Sequence, residues 1–437
     1  MSTPKAVGKR SFVPARMARP MSFKTRIAHF GLLFAVSLAF FFLARDNPFW
    51  YPDDFLYLDQ AMDIHLSWKQ LFTVAADQPS QPLVKLVFFV EYLLFGLDAW
   101  KFYLFNIVVH SINAFLVFQL VDTLIRNRHI AVLSSLLFAC AVGNYGKAVM
   151  VVSGIGDLLI TLMTLLTLRL YFMSELDKGG RVLSPWFFAA ILCFLLTLLT
   201  KATSFGIIGC VFAFNVFFRA ETKKPILNSK FLVITVIALI ALVLKPVVGS
   251  DLAGQDELVF GVFNFLKNYA SYLVRMVFPI HASKLIAHAG PVVQFVYQLA
   301  TEIRVLIFLC IVSFTIFGFI FGNRTIRFFI AWTYITVTPF CFFRFPTDWL
   351  DIRHLYLVSV GFAMILASVT VLAAGLLHQK RWRRLLPYSL PLIFVFLSQF
   401  IISQLDRKYE LTAELEPIQK LQSDVSRRHQ EMSSRQP

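Results

Sequence analysis

An all-α integral membrane protein with about eleven transmembrane helices is the fold class the sequence predicts, on three observations. The 437 residues are 58% hydrophobic and 15% charged, against about 45–50% and 25% in soluble domains. Apolar runs recur along most of the chain, where a charge at mid-bilayer would cost about 3 kcal/mol or more. Lys and Arg collect in every second gap between those runs, the asymmetry that orients polytopic proteins. The net charge of +16 therefore reports topology, and no nucleic-acid partner is expected.

The basic segment 1–26, with Lys5, Lys9, Arg10, Arg16, Arg19, Lys24 and Arg26, is expected in the cytoplasm. The apolar run that follows, 27–43, is long for a signal-peptide core and lacks a small-residue cleavage site, so it reads as a retained first span. The transmembrane domain then covers 27–403. Its spans fall near 27–44, 102–121, 130–143, 156–173, 185–200, 203–219, 229–248, 303–321, 327–342, 355–376 and 386–403. A crossing needs about 20 residues, so 130–143 must borrow flanking residues. The long run around 183–218 divides at Lys201. Arg126/Arg128, Lys178/Arg181, Arg219/Lys223/Lys224/Lys230, Arg324/Arg327 and Lys380/Arg381/Arg383/Arg384 mark the inner loops. An odd number of spans places the charged tail, 404–437, outside.

Two outer segments are too long for turns. The first, 45–101, carries Asp46, Asp53, Asp54, Asp59, Asp63 and Asp77. Within it 82–96 is apolar but short, with Lys85 and Glu91 inside, and reads as interfacial. The second, 249–302, contains an aromatic, sparsely charged stretch at 259–280 of the kind that lies along a membrane surface. In the tail, Leu405, Tyr409, Leu411 and Leu415 sit near helical spacing and read as a solvated amphipathic helix or a docking one. The cysteines Cys140, Cys193, Cys210, Cys310 and Cys341 show no paired spacing, so neither a disulfide framework nor a metal cluster is expected. The sequence has no P-loop, dinucleotide fingerprint or zinc-helix motif.

Candidate chemistry lies on the outer side. Asp53 and Asp54 follow Trp50-Tyr51-Pro52 directly after the first span. Adjacent carboxylates at a membrane surface resist ionising together, which suits a general base acting on a hydroxyl. Pro then Asp is also a good helix start, with Asp53 as its cap. Asn106, His110 and Asn113 share one face of a span, where such residues pack helices together or line a substrate cavity. Lys201 either snorkels to water or binds a phosphate. Arg353 and His354 open a late span, and the arginine fork matches a phosphate.

In this order the residues resemble the GT-C superfamily of polytopic glycosyltransferases, close to its protein O-mannosyltransferase branch. The resemblance runs from about residue 27 to 376. It rests on Asp53-Asp54, Pro82-Leu83, a Phe-Gly-Leu turn, Asn106 with His110, Asp157-Leu158-Leu159, Lys201, and Arg353 with Tyr356 and Leu357. It implies an inverting enzyme that moves a sugar from a polyprenyl-phosphate carrier to an acceptor hydroxyl on the periplasmic or lumenal face. Asp53 or Asp54 would be the base, and Lys201 and Arg353 would hold the departing phosphate. His110, Asn106, Asp157, His354 and Tyr356 would line the substrate cavity. Some branches of the superfamily use a divalent cation and others do not. Lys147, Ile155, Ala202 and Ile352 depart from the family pattern. A non-catalytic scaffold on the same fold and a transporter of lipid-linked sugar are the competing readings. A bacterial inner membrane is the expected setting, and an endoplasmic-reticulum membrane satisfies the same physics.

Overall fold

The computed structural model describes residues 22–72, 81–140, 147–176, 184–200, 205–219, 225–248, 261–277, 291–342, 352–377, 385–400 and 416–434. Every regular element among them is a helix. In chain order they are α1 (Phe23–Phe41), α2 (Pro52–Leu66), α3 (Pro82–Phe95), α4 (Ala99–Ile125), α5 (Arg128–Ala139) and the single turn α6 (Lys147–Met150). Then come α7 (Ile155–Leu176), α8 (Pro185–Leu198), α9 (Gly206–Phe214), α10 (Ser229–Val248), α11 (Val262–Val277) and α12 (Pro291–Phe321). The last are α13 (Arg324–Val337), α14 (Leu355–Leu376), α15 (Leu386–Phe400) and α16 (Glu416–Ser434).

The chain is a multi-pass integral membrane protein. Among the described residues, six helical stretches are long and apolar enough to cross a bilayer: Phe23–Asp46, Ala99–Ile125, Val152–Glu175, Glu302–Phe321, Arg324–Phe342 and Leu355–Leu376. Shorter apolar helices occupy the other expected positions, at Arg128–Ala139, Pro185–Leu198, Gly206–Arg219, Ser229–Val243 and Leu386–Phe400. The span expected at 303–321 is the stretch Glu302–Phe321, and the 31-residue α12 begins ahead of it, so 291–302 is helical as well. Gln294, Gln298, Thr301 and Glu302 lower the hydropathy there without opposing a helix. The surface helix expected at 259–280 is present as α11. Its outward residues include Val262, Phe263 and Leu266, the apolar face such a helix lays against a membrane.

Packing centres on α4, which α1, α5 and α7 flank, while α14 lies against α5 and α13. The α13–α14 crossing is tight. A Cβ on Gly361 would stand 2.4 Å from the Thr333 hydroxyl and 2.8 Å from the Phe329 carbonyl oxygen, so only glycine permits this approach. Trp332 crosses the same interface and donates to the Leu357 carbonyl at 3.1 Å. By contrast, the span of α12 has no fully buried residue, and Phe314, Phe317 and Phe321 are all exposed. Such a surface is stable only in hydrocarbon.

At the C-terminal end of α7, charge is neutralised inside the bundle. Glu175, at the close of α7, pairs with Arg219 and lies 3.1 Å from Lys230. Tyr171 bonds to Asn215 and Asn228. Three helices are tied together there, and the opposite end is left to hold the site.

Candidate active site

Helix α2 begins immediately after the first span, with Pro52 in the first-turn position that suits its missing N–H. The sequence reading offered Asp53 as its cap. In the structure Tyr51 is the cap residue, and Asp54, at the third helical position, reaches back to it with its side chain. The Asp54 Oδ2 accepts from the Tyr51 N–H at 3.1 Å and the Trp50 N–H at 3.4 Å. Its Oδ1 accepts from the Ser153 N–H at 2.7 Å. Asp54 is wholly buried. Burial pushes its carboxyl up to about 6, against the pull of the N–H groups of Ser153 and Tyr51, and the neighbouring Asp53 charge adds to the rise. Asp54 thus joins the first outer segment to the loop between α6 and α7.

That loop is fixed from three sides. Asn106 donates its Nδ2 to the Val151 and Val152 carbonyls at 3.0 and 3.3 Å. Asp54 holds Ser153. Gly154 passes so close to Ala148 that a Cβ there would stand 2.0 Å from the Ala148 carbonyl oxygen. The consequence is a set position for Lys147, one turn earlier. Its ammonium lies 5.0 Å from the centre of the Tyr51 ring.

Arg353 approaches the same ring from the start of α14, with its guanidinium carbon 4.8 Å from the centroid. Its Nη2 also donates to Asp53 Oδ2 at 3.5 Å. Lys147 and Arg353 are therefore within about 10 Å of each other, each in cation–π range of one tyrosine. Asp53 differs from its neighbour. Its side chain is 43% exposed, so it presents a carboxylate to solvent beside a mostly buried arginine.

Arg353 also lines a small cleft with Asp157, Ile160, Gly206, Thr336, Phe340, His354 and Leu357. These come from the starts of α7, α9 and α14 and from the end of α13 and the turn after it. The His354 ring stacks on Phe340, with centroids 4.3 Å apart. Arg353 is thus the residue shared by the carboxylate pair and the cleft.

The structure brings Asp53, Asp54, Arg353, Asp157 and His354 to one end of the bundle. Asn106 lies beside this end, bonded to the loop that Asp54 holds, while His110 and Tyr356 bond to each other within the bundle. All are buried. His110 Nδ1 pairs with the Tyr356 hydroxyl at 2.7 Å and its Nε2 with the Ala139 carbonyl at 3.1 Å. Asn113 donates to the same hydroxyl at 3.2 Å and to the Leu158 carbonyl at 3.0 Å. This network holds α4, α5, α7 and α14 together. Lys201 and Ala202 lie outside the described residues. The neighbouring Leu199 carbonyl accepts from the Leu83 N–H at 3.1 Å, so the Pro82-Leu83 motif meets the outer end of α8. Ile352 opens the turn that presents Arg353.

Sequence reasoning missed the parts played by Tyr51 and Lys147. Lys147 counted only as a departure, although its place just before Asp157's helix put it on the outer side. Among the described residues no three His, Cys, Asp or Glu side chains converge on one point.

No family model matches the chain, and no curated protein matches it. Solved structures do. One is the archaeal oligosaccharyltransferase AglB from Archaeoglobus fulgidus in complex with an inhibitory peptide and a dolichol-phosphate, with a TM-score of 0.52 and 11% identity. The match covers 89% of this chain and 56% of that one. The Archaeoglobus fulgidus oligosaccharyltransferase tethered to an acceptor peptide containing the NVT sequon gives a TM-score of 0.54 at 10% identity, covering 89% and 55%. The chain shares the fold of the matched portion of these two oligosaccharyltransferases. ArnT from Cupriavidus metallidurans bound to undecaprenyl phosphate also aligns, with a TM-score of 0.47, 15% identity and coverage of 90% and 76%. The chain spans little more than half the length of the oligosaccharyltransferases it matches. At 10–11% identity the likeness to the oligosaccharyltransferases is one of fold, and it does not select the protein O-mannosyltransferase branch.

Proposed function

We propose that the protein is an inverting glycosyltransferase that moves a sugar from a polyprenyl-phosphate carrier to an acceptor hydroxyl on the outer face. One observation carries the reading. Arg353 links the exposed carboxylate of Asp53 to a cleft at the outer ends of the spans. A base for the acceptor and a cation for the donor phosphate are the two groups this transfer needs.

Asp53 is the base in this account, because Asp54 is buried and occupied by backbone N–H groups. The acceptor oxygen attacks the anomeric carbon while its proton passes to Asp53. The bond from that carbon to the phosphate oxygen breaks, and the electron pair leaves with the lipid phosphate. Arg353 and Lys147 meet the charge that builds on the leaving oxygen, where preorganised cations act most strongly. Lys201 is a further candidate for the same phosphate. Asp157 and His354 border the sugar. In this reading the tail, 404–437, lies on the outer side, which the packing of α16 on α2 supports. The setting is a bacterial inner membrane, with an endoplasmic-reticulum membrane as the alternative.

Two other readings remain distinct. A scaffold on the same fold draws support from the purely structural bonding of Asp54. A transporter draws less, because His110, Asn113 and Tyr356 bond to one another in the bundle instead of lining a path. The test is a panel of polyprenyl-phosphate sugars offered to the purified protein in nanodiscs with a lysate of acceptors. Release of polyprenyl phosphate with inverted configuration in the product supports the enzyme. No release from any donor supports the scaffold.

A further inference from the structure

The C-terminal helix α16 is separate from the spans in sequence but docks on the helix that carries the carboxylate pair. Ile418 and Val425, seven residues apart, are buried, and Met432, seven further on, packs against the core. That spacing returns to one face of a helix after two turns. On the same side Arg428 divides its fork between two carboxylates of α2, Nη1 to Asp59 and Nη2 to Asp63. Those acids are four residues apart, hence one above the other on one helix face. The next residue, His429, pairs through Nδ1 with the Tyr92 hydroxyl of α3 at 2.8 Å.

Helix α2 is therefore held at both ends by different partners. Its first turn is fixed by Asp54 to Ser153 and presents Asp53 to Arg353. Its last two turns are fixed by Arg428. A rigid helix of 15 residues transmits rotation or tilt from one end to the other, so the setting of Asp53 depends on what grips Asp59 and Asp63. An isolated exposed ion pair contributes little to stability. A forked arginine across two carboxylates fixes geometry as well as charge.

We propose that Arg428 is a positioning residue, through which the C-terminal helix sets the orientation of α2 and thereby the alignment of Asp53 with Arg353. The proposal rests on the reading of Asp53 as the reacting carboxylate. The strap is electrostatic, so raised salt loosens it. A lysine at 428 reaches one carboxylate at a time and restores it in part.

The test uses full-length protein in nanodiscs and compares wild type, Arg428→Ala, Arg428→Lys and the double variant Asp59→Asn/Asp63→Asn. Donor cleavage and amide hydrogen exchange are measured on each. Arg428→Ala and the double variant should lose roughly three- to ten-fold in kcat with donor KM unchanged, and Arg428→Lys should recover part of it. Exchange should quicken together in 416–434 and in the second half of α2. Faster exchange with unchanged kcat would overturn the positioning role. Unchanged exchange in Arg428→Ala would overturn the strap itself. A wild type that cleaves no donor would remove the Asp53 reading and the positioning role with it, while the exchange arm would still decide the docking.

Discussion

Arg353 donates to Asp53 across 300 residues of sequence, with Nη2 3.5 Å from Oδ2. At that distance the bond is weak, and the two groups are paired without being locked. A substrate phosphate could take the arginine fork while Asp53 turns to the acceptor. Arg353→Ala should lower kcat about 10²–10³-fold, the usual cost of one preorganised donor at a developing negative charge. Arg353→Lys should recover only part, because an ammonium lacks the fork. Steady-state kinetics on purified protein check both, and an unchanged kcat would remove Arg353 from the site.

Asp54 gives a prediction about pH. Its carboxyl is held near 6 in the fold, above the ordinary aspartate range. Folding therefore favours the protonated form. The contribution is fully present below about pH 4 and is lost as pH rises through about 6. Its full extent is about 3 kcal/mol. Thermal unfolding of wild type and Asp54→Asn, compared from pH 4 to 7, should show wild type losing ground to the variant as pH rises. Parallel curves would contradict the burial argument.

Tyr356 separates packing from substrate contact. Its hydroxyl serves both His110 and Asn113, so Tyr356→Phe strands buried polar groups. The expected cost is about 1–3 kcal/mol, seen as a lower Tm with donor KM unchanged. A raised KM at unchanged Tm would return Tyr356 to the cavity.

Gly154 has no room for a side chain beside the Ala148 carbonyl. Gly154→Ala must displace the backbone that gives Ser153 to Asp54. A loss of about 1–3 kcal/mol should accompany a fall in activity, both measurable on one preparation.

The membrane architecture was legible in the sequence because hydrocarbon imposes a simple rule on composition and loop charge. Each apolar run carries a helix, and α11 lies where the aromatic stretch predicted it. The span expected at 303–321 is matched by Glu302–Phe321, while the helix itself starts earlier, because hydropathy, unlike helix formation, responds to Gln294 and Glu302. The stripe Ile418, Val425 and Met432 was open to a search at seven-residue spacing, whereas attention fell on Leu405, Tyr409, Leu411 and Leu415, which lie outside the described residues. The division of labour between Asp53 and Asp54 could not be read locally. It depends on Ser153 and Arg353, which only the tertiary fold brings to α2. Lys147 was hidden for the same reason, since its link to Tyr51 is made in space.

The central claim is that Asp53 takes the acceptor proton. The most direct measurement is release of polyprenyl phosphate by wild type and Asp53→Asn at equal expression, with donor binding measured in parallel. The account predicts that Asp53→Asn binds donor as wild type does and that its release falls about 10²–10⁴-fold, the usual range for a lost general base. Release at the wild-type rate from Asp53→Asn would contradict it.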